Sequence, residues 1–242
     1  MKMKIVDDLL STLNPDEAVR DIRQGPFWTA VLTRNCGLAS TPYESGHHHD
    51  HTPVKDAGHL LQKSAQELAR MAYSESNHEA AIGMATINSL LDIDELYCVE
   101  LNAGDLLMEK GEGQRVAVIG HFPFVERLRQ VVRELWVIEK HPREGDVAEN
   151  EAQNLVSQAD VVAITGSTFV NHTTEELLAL CSPKAYVIVL GPTTPLSPVL
   201  FDYGVDVISG TRVTDAETVL WYVSQSATFR QMKGVRLLTM KK

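Results

Sequence analysis

Imidazoles have the widest chemical reach of any group in this sequence. A neutral ring is the commonest metal ligand, and near neutral pH it also exchanges protons. His121, His141 and His172 each follow an apolar run by a few residues, and His47, His48, His49 and His51 crowd into one polar stretch, YESGHHHDHTP. The first three suit a single metal site if their loops are neighbours in space. The other four offer local density, but adjacent residues in a loop lack the fixed geometry of a selective site. They are read as a weak, adventitious metal binder.

Carboxylate, hydroxyl and amide groups join them. Glu139 ends an apolar run about 20 residues beyond a first strand–helix turn, where an acidic residue can hold a ribose diol. Its plainer role is to pair with Lys140 or a helix end. Thr165-Gly166-Ser167-Thr168, with Asn171 nearby, and Gly191-Pro192-Thr193-Thr194 offer hydroxyls and backbone N–H groups to an anion. Both loops also carry helix-start signals: Thr173 with Glu176 makes a capping box, and Thr194 before Pro195 reads as an N-cap. Asn88 sits among apolar residues at helical spacing, so if buried it must bond either the backbone or a ligand.

Several chemistries are set aside. The turn Gly120-His121-Phe122-Pro123 has one glycine where a dinucleotide fingerprint needs three, which disfavours the usual NAD pose. No GxSxG, P-loop or HExxH motif occurs. Cys36, Cys98 and Cys181 are far apart and odd in number, so they make no disulfide framework and no metal knuckle. A formal net charge of −10, from 22 basic and 32 acidic residues, argues against nucleic-acid and membrane-surface partners. No apolar run approaches the ~20 residues of a membrane span. The acidic N-terminus does not read as a secretion signal, so the cytoplasm is the expected compartment.

The elements that must position these groups fall into two kinds. Before residue 113 the pattern is mixed: an opening helix over 5–13, strands over 27–34 and 36–40, then helical spacing over 59–72 and 79–91 with a capping box at Ser76 and Glu79. After it, apolar runs at 115–119, 135–139, 160–165, 185–190 and 205–209 alternate with helical stretches at 124–134, 149–158, 173–181, 195–203 and 215–228. Strands buried on both faces by crossover helices look like this. Ligands of such sheets bind outside the carboxyl ends of the strands, where all of these loops lie. If the first of the five strands lies between the second and third, the loops of His121, His141 and His172 are adjacent. In the 3-2-1 order His172 is one strand further away.

The stretches AIGMATINSLL, RVAVIGHFPFVERL, ADVVAITGSTFVNHTTEELL and YVIVLGPTTPLSPVLFDYGVDVISG resemble the heavy-metal chelation family over nearly the whole chain. TGSTFVN and GPTTPLSP are specific in combination, although neither names a reaction. The resemblance implies a first domain similar to the N-terminal domain of enolase and a Rossmann-like second domain. It also implies a ligand cleft between them and a role in handling a metal or a chelating small molecule. The enolase likeness concerns a cap and carries no enolase activity. No ligand residue is carried over, and the HHHDH stretch matches no family motif.

The expected fold is therefore α/β: a small α+β cap, enolase N-terminal-like, over 1–112 and a Rossmann-like parallel-sheet domain over 113–242. The expected function is binding of a small ligand or metal chelate, with a divalent transition metal or a chelating molecule as the implied cofactor; whether a reaction follows is left open. The expected ligand wall is Asn88, Gly120, His121, Phe122, Glu139, Thr165 to Thr168, Asn171 and Gly191 to Thr194. The alternative is an enzyme using a nucleotide or S-adenosylmethionine in the same cleft, with Glu139 on the ribose. Metal buffering through the histidine-rich stretch is a third reading. The oligomeric state is not readable.

One outcome follows for that stretch. Ni²⁺ or Zn²⁺ should bind it weakly and shift the thermal midpoint by less than about 2 °C, because a metal stabilises only by its preference for the folded chain. Melts with metal and with chelator check this. A large shift lost on replacing His47, His48, His49 and His51 would refute it.

Overall fold

Two β-sheets organise the chain. The computed structural model describes residues 3–14, 16–42 and 53–242. Helix α1 (Lys4–Thr12) comes first, followed by an antiparallel three-stranded sheet, β1 (Asp21–Gln24), β2 (Trp28–Leu32) and β3 (Cys36–Ser40), in the order 1-2-3. Helices α2 (Ala65–Ala69), α3 (Asn77–Leu90) and α4 (Ala103–Gly111) follow. The larger sheet takes β4 (Arg115–Ile119), β5 (Glu134–Glu139), β6 (Val147–Ala148), β7 (Val161–Thr165), β8 (Tyr186–Leu190), β9 (Val207–Val213) and β10 (Val235–Lys241). Between its strands run α5 (Val125–Leu128), α6 (Ala152–Val156), α7 (Thr174–Leu180) and α8 (Ala216–Ser224). The architecture is the expected mixed α/β one.

Strand order in the larger sheet is β10-β9-β8-β7-β4-β5-β6, with β10 antiparallel to β9 and all other pairs parallel. The first of the five expected strands, β4, thus lies between the second, β5, and the third, β7. The chain moves outward from β4 to β5 and β6, then crosses back to β7 on the other side. At that reversal the connections leave β4 and β7 in opposite directions and open a crevice above their carboxyl ends.

Several elements differ from expectation, each for a local reason. The helix expected over 59–72 divides into 3₁₀ turns at Leu60–Gln62 and Arg70–Tyr73 around α2, because Ser64 and Glu67 form a capping box that starts a new helix inside the run. The capping box expected at Ser76 is absent: Glu79 instead accepts from the Ser74 hydroxyl at 2.6 Å and the Lys55 N–H at 2.7 Å. The helix expected over 124–134 shrinks to α5, since β5 already begins at Glu134. The 215–228 helix ends at Ser224. Helix α4 and strand β10 gave no clear sequence signal.

Packing ties the sheets together. Leu106 and Leu107 of α4 pack with Val116, Val118 and Val161, so α4 covers the larger sheet. Helix α3 is buried on nearly every face and lies against β3 and the 70–73 turn. Gly37 of β3 makes this contact close: a Cβ there would stand 2.1 Å from the Ala85 carbonyl oxygen and 2.4 Å from the Ser89 nitrogen. One continuous core joins Ile82, Met84 and Ile87 of α3 to Ile119, Ile138 and Ile164 of the parallel strands.

At the amino end of the larger sheet, Asp160 accepts from Arg115 Nε at 3.0 Å, Nη2 at 2.8 Å and its backbone N–H at 3.1 Å. The Arg115 side chain, then its backbone N–H, holds the Asp160 carboxyl down at about 2. A depressed carboxyl stabilises the fold above its unfolded value of about 3.9 and loses that contribution as pH falls toward 2. Both side chains are more than a third exposed, so the effect should stay near or below about 1 kcal/mol. Urea unfolding at pH 7 and pH 3 should show Asp160→Asn costing stability at pH 7 and less at pH 3. An equal cost at both would remove the ionic role.

Candidate active site at the carboxyl edge of the larger sheet

A cavity of about 600 Å³ opens at the order reversal. Gly120 and His121 after β4, Glu139 to His141 after β5, and Thr165, Ser167, Thr168 and Asn171 after β7 line it. Ser40, Pro42 and Asn77 from the first part of the chain also line it. Eight expected residues therefore meet there: Gly120, His121, Glu139, His141, Thr165, Ser167, Thr168 and Asn171.

Local geometry explains what each can still offer. Gly120 has φ +102°, and a Cβ on it would stand 3.0 Å from the Thr165 side chain, so glycine lets the β4 turn close against β7. Thr165 caps the 3₁₀ turn Gly166–Phe169, accepting from the Ser167 N–H at 3.4 Å and sharing a 3.0 Å bond with the Ser167 hydroxyl. Thr168 donates to the Thr165 carbonyl and accepts from Thr174, both at 2.8 Å. Thr173 bonds Asn171 Oδ1 at 2.7 Å and does not cap α7, so the expected Thr173–Glu176 box is not formed. Lys140 pairs with Glu149 at 3.8 Å, and Glu139 has no hydrogen bond or ion pair among the described residues. The plain pairing with Lys140 is thus not made.

Other expected residues serve elsewhere. His172, in left-handed backbone at φ +62°, places Nε2 2.9 Å from the Ala72 carbonyl oxygen and lines a small separate pocket with Met3 and Ile5. It does not join His121 and His141. Among the described residues no three His, Cys, Asp or Glu side chains group to hold a metal. Phe122 stacks on Phe124 at 5.0 Å and packs with the α4 cluster, away from the cavity wall. Gly166 lies against Thr194, where a Cβ would stand 2.5 Å from the Thr194 nitrogen. Thr194 is buried and caps nothing; the next turn starts three residues on, at Ser197-Pro198. Gly191 takes φ +115° in the same turn, and neither it nor Pro192 lines the cavity. Cys36, Cys98 and Cys181 are free thiols, and burial pushes Cys36 up to about 12. His47, His48, His49 and His51 lie outside the described residues.

Thr193 and Asn88 form a seam between the sheets. Thr193 Oγ1 accepts from the Ser40 N–H at 2.8 Å and bonds the Ser40 hydroxyl at 3.1 Å. Asn88 Nδ2 donates to the Leu38 carbonyl at 2.9 Å and the Thr193 carbonyl at 3.0 Å. Asn88 therefore satisfies backbone, the plainer of its two expected roles.

The residue that sequence reasoning missed is Asp146. Its Oδ2 stands 3.4 Å from His121 Nδ1, and its side chain is 2% exposed. PREGD reads as an exposed turn, and only the pairing of β6 on β5 carries it inward.

Known proteins share the family and the fold. Residues 6–91 and 102–242 each match a family model described as "Putative heavy-metal chelation". An uncharacterised protein of Methanocaldococcus jannaschii is 26% identical over 241 residues, covering 94% of this chain and 91% of that one. A crystal structure of a protein of unknown function from Desulfitobacterium hafniense superposes with a TM-score of 0.85 at 25% identity, covering 99% and 98% of the two chains. One from Pyrococcus horikoshii gives 0.83 at 21% identity, covering 99% of each chain, and shares the fold.

The seam has a direct test. Asn88→Ala should lower the unfolding free energy by about 1–3 kcal/mol, since it removes two part-buried hydrogen bonds and leaves two carbonyls without that donor. Denaturant titration measures it. Unchanged stability would return Asn88 to a ligand role.

Proposed function

This chain belongs to the putative heavy-metal chelation family, and from that premise we propose that it binds a small metal-chelating molecule, or that molecule with its divalent transition metal. The proposed place is the cavity above the ends of β4, β5 and β7, under residues of the first sheet. The observation that carries the reading is the cavity itself: about 600 Å³, at the strand-order reversal, with an unpaired carboxylate, imidazoles and hydroxyls on its wall. That volume suits a small organic ligand with a few convergent polar groups.

Donor chemistry favours a chelate over a bare ion. A structural transition-metal site takes about four protein ligands at fixed geometry. The described residues assemble no group of three, so they do not by themselves build such a cage. A ligand that brings most of its own donors needs only one or two from the protein, and His121 and Glu139 share this wall. The Ser167 hydroxyl and the Lys140 ammonium suit the carboxylates such molecules carry. Binding is the function proposed.

Calorimetric titration with equimolar cobalt(II) citrate, against cobalt(II) alone, tests this. The citrate complex should bind at least tenfold tighter than the bare ion, and Ser167→Ala should weaken it about tenfold, or about 1.4 kcal/mol. Binding that survives both Ser167→Ala and Glu139→Ala would remove this cavity as the site. Tight, Glu139-dependent binding of an adenosine-containing cofactor would replace the reading with a nucleotide one.

A further inference from the structure

His121 meets the cavity with one edge and a buried carboxylate with the other. Its side chain is 26% exposed and lines the cavity, yet its Nδ1 is buried. The exposed part of the ring is therefore the rest of it, including Nε2. Asp146 Oδ2 faces the buried Nδ1 at 3.4 Å, within ion-pair range but outside good hydrogen-bond geometry. Such contacts tighten when a site is filled.

The carboxylate is fixed before the imidazole uses it. Asp146 Oδ2 accepts from the Arg143 N–H at 3.1 Å, and the Asp146 N–H donates to the Arg143 carbonyl at 3.0 Å. Gly145 supplies the left-handed residue of that turn, at φ +86°. Val147, the next residue on, pairs with Ile138 of β5, whose neighbour Glu139 is on the cavity wall. A carboxylate held this way selects which ring nitrogen carries the proton, and it raises the basicity of the other.

We propose that Asp146 is a positioning residue: it holds neutral His121 in the Nδ1–H tautomer, so that Nε2 offers its lone pair to a metal carried into the cavity by a chelating ligand. The donor half rests on the chelate-binding reading; the tautomer half does not. Ser167, Lys140 and Glu139 would hold the organic part of that ligand, and His121 would supply a fixed nitrogen donor.

Two measurements on the full chain separate these halves. Long-range ¹H–¹⁵N spectra of ¹⁵N-histidine-labelled protein, recorded into the alkaline range, report the neutral tautomer; His121→Gln assigns the signal. The wild type should show Nδ1–H. Asp146→Ala should shift the ring to a mixture or to Nε2–H, and Asp146→Asn, which keeps an acceptor for the Arg143 N–H, should fall between. A wild-type ring that is mainly Nε2–H, or one indifferent to both variants, overturns the positioning role. Equimolar cobalt(II) citrate is the second probe, read by affinity and by the visible cobalt spectrum. His121→Gln should weaken binding at least tenfold and change the spectrum, and Asp146→Asn should weaken it about 10-fold. A tautomer held by Asp146 with cobalt binding indifferent to His121→Gln overturns the donor role alone. Failure of wild-type protein to bind the complex overturns the chelate reading while leaving the tautomer result standing.

Discussion

The return of the chain across β4 is the constraint on which the rest depends. A parallel sheet built outward in one direction would bury each strand end under the next connection. Here β5 lies on one side of β4 and β7 on the other, so the two connections diverge and leave space above the strand ends. The groups the larger sheet offers to the cavity are a consequence of where these three strands stop. Gly120 suits the same geometry, because the turn after β4 takes φ +102° and passes so near Thr165 that a Cβ would stand only 3.0 Å from its side chain.

A cavity at a sheet edge is open to water unless something covers it. The antiparallel sheet is held over the edge by side-chain hydrogen bonds to backbone and hydroxyl groups. Gly37 lets β3 rest on α3, and Asn88 and Thr193 then join α3, β3 and the turn after β8 through hydrogen bonds of 2.8–3.1 Å. Apolar packing could hold two layers together at many relative offsets, because it is non-directional. Buried hydrogen bonds have narrow geometry and a high cost when unmade, so this seam fixes the offset. Polar residues that the sequence marks as ligand candidates thus decide the shape of the cavity without lining it.

The division between what sequence reasoning reaches and what it misses follows from the range of the interactions. The five parallel strands announce themselves through continuous apolar runs, because burial on both faces leaves no polar position. Their order is set by which helices cross which face, and no local pattern encodes that. Short helices mislead in both directions: α5 has helical spacing over 124–134 but ends at Leu128 in a turn that leads to β5 at Glu134, while α4 is polar enough to pass as loop. Among the candidate residues, loop position was enough to put Glu139, Ser167 and His121 on the cavity wall. It failed for His172, whose backbone turns its ring toward Ala72, and for Thr194, buried against Gly166. Asp146 was invisible because only a two-residue edge strand carries it inward.

The proposed ligand class rests on the same wall. The Phe122–Phe124 stack fills the space beside the β4 turn where a dinucleotide fold keeps glycines for a pyrophosphate. The Thr165 hydroxyl, which could otherwise receive an anion, is engaged in capping its own 3₁₀ turn. The wall also carries the Glu139 carboxylate, the exposed edge of the His121 imidazole and the Ser167 hydroxyl, which shares its 3.0 Å bond with Thr165, on separate strand ends. Separate strand ends cannot close a tight tetrahedral cage without moving the sheet, but they can touch three parts of one small molecule. The proposed chelate would fit that spacing because its own skeleton bridges the gaps, and the rigid sheet would then discriminate by the shape of the complex rather than by affinity for the ion alone.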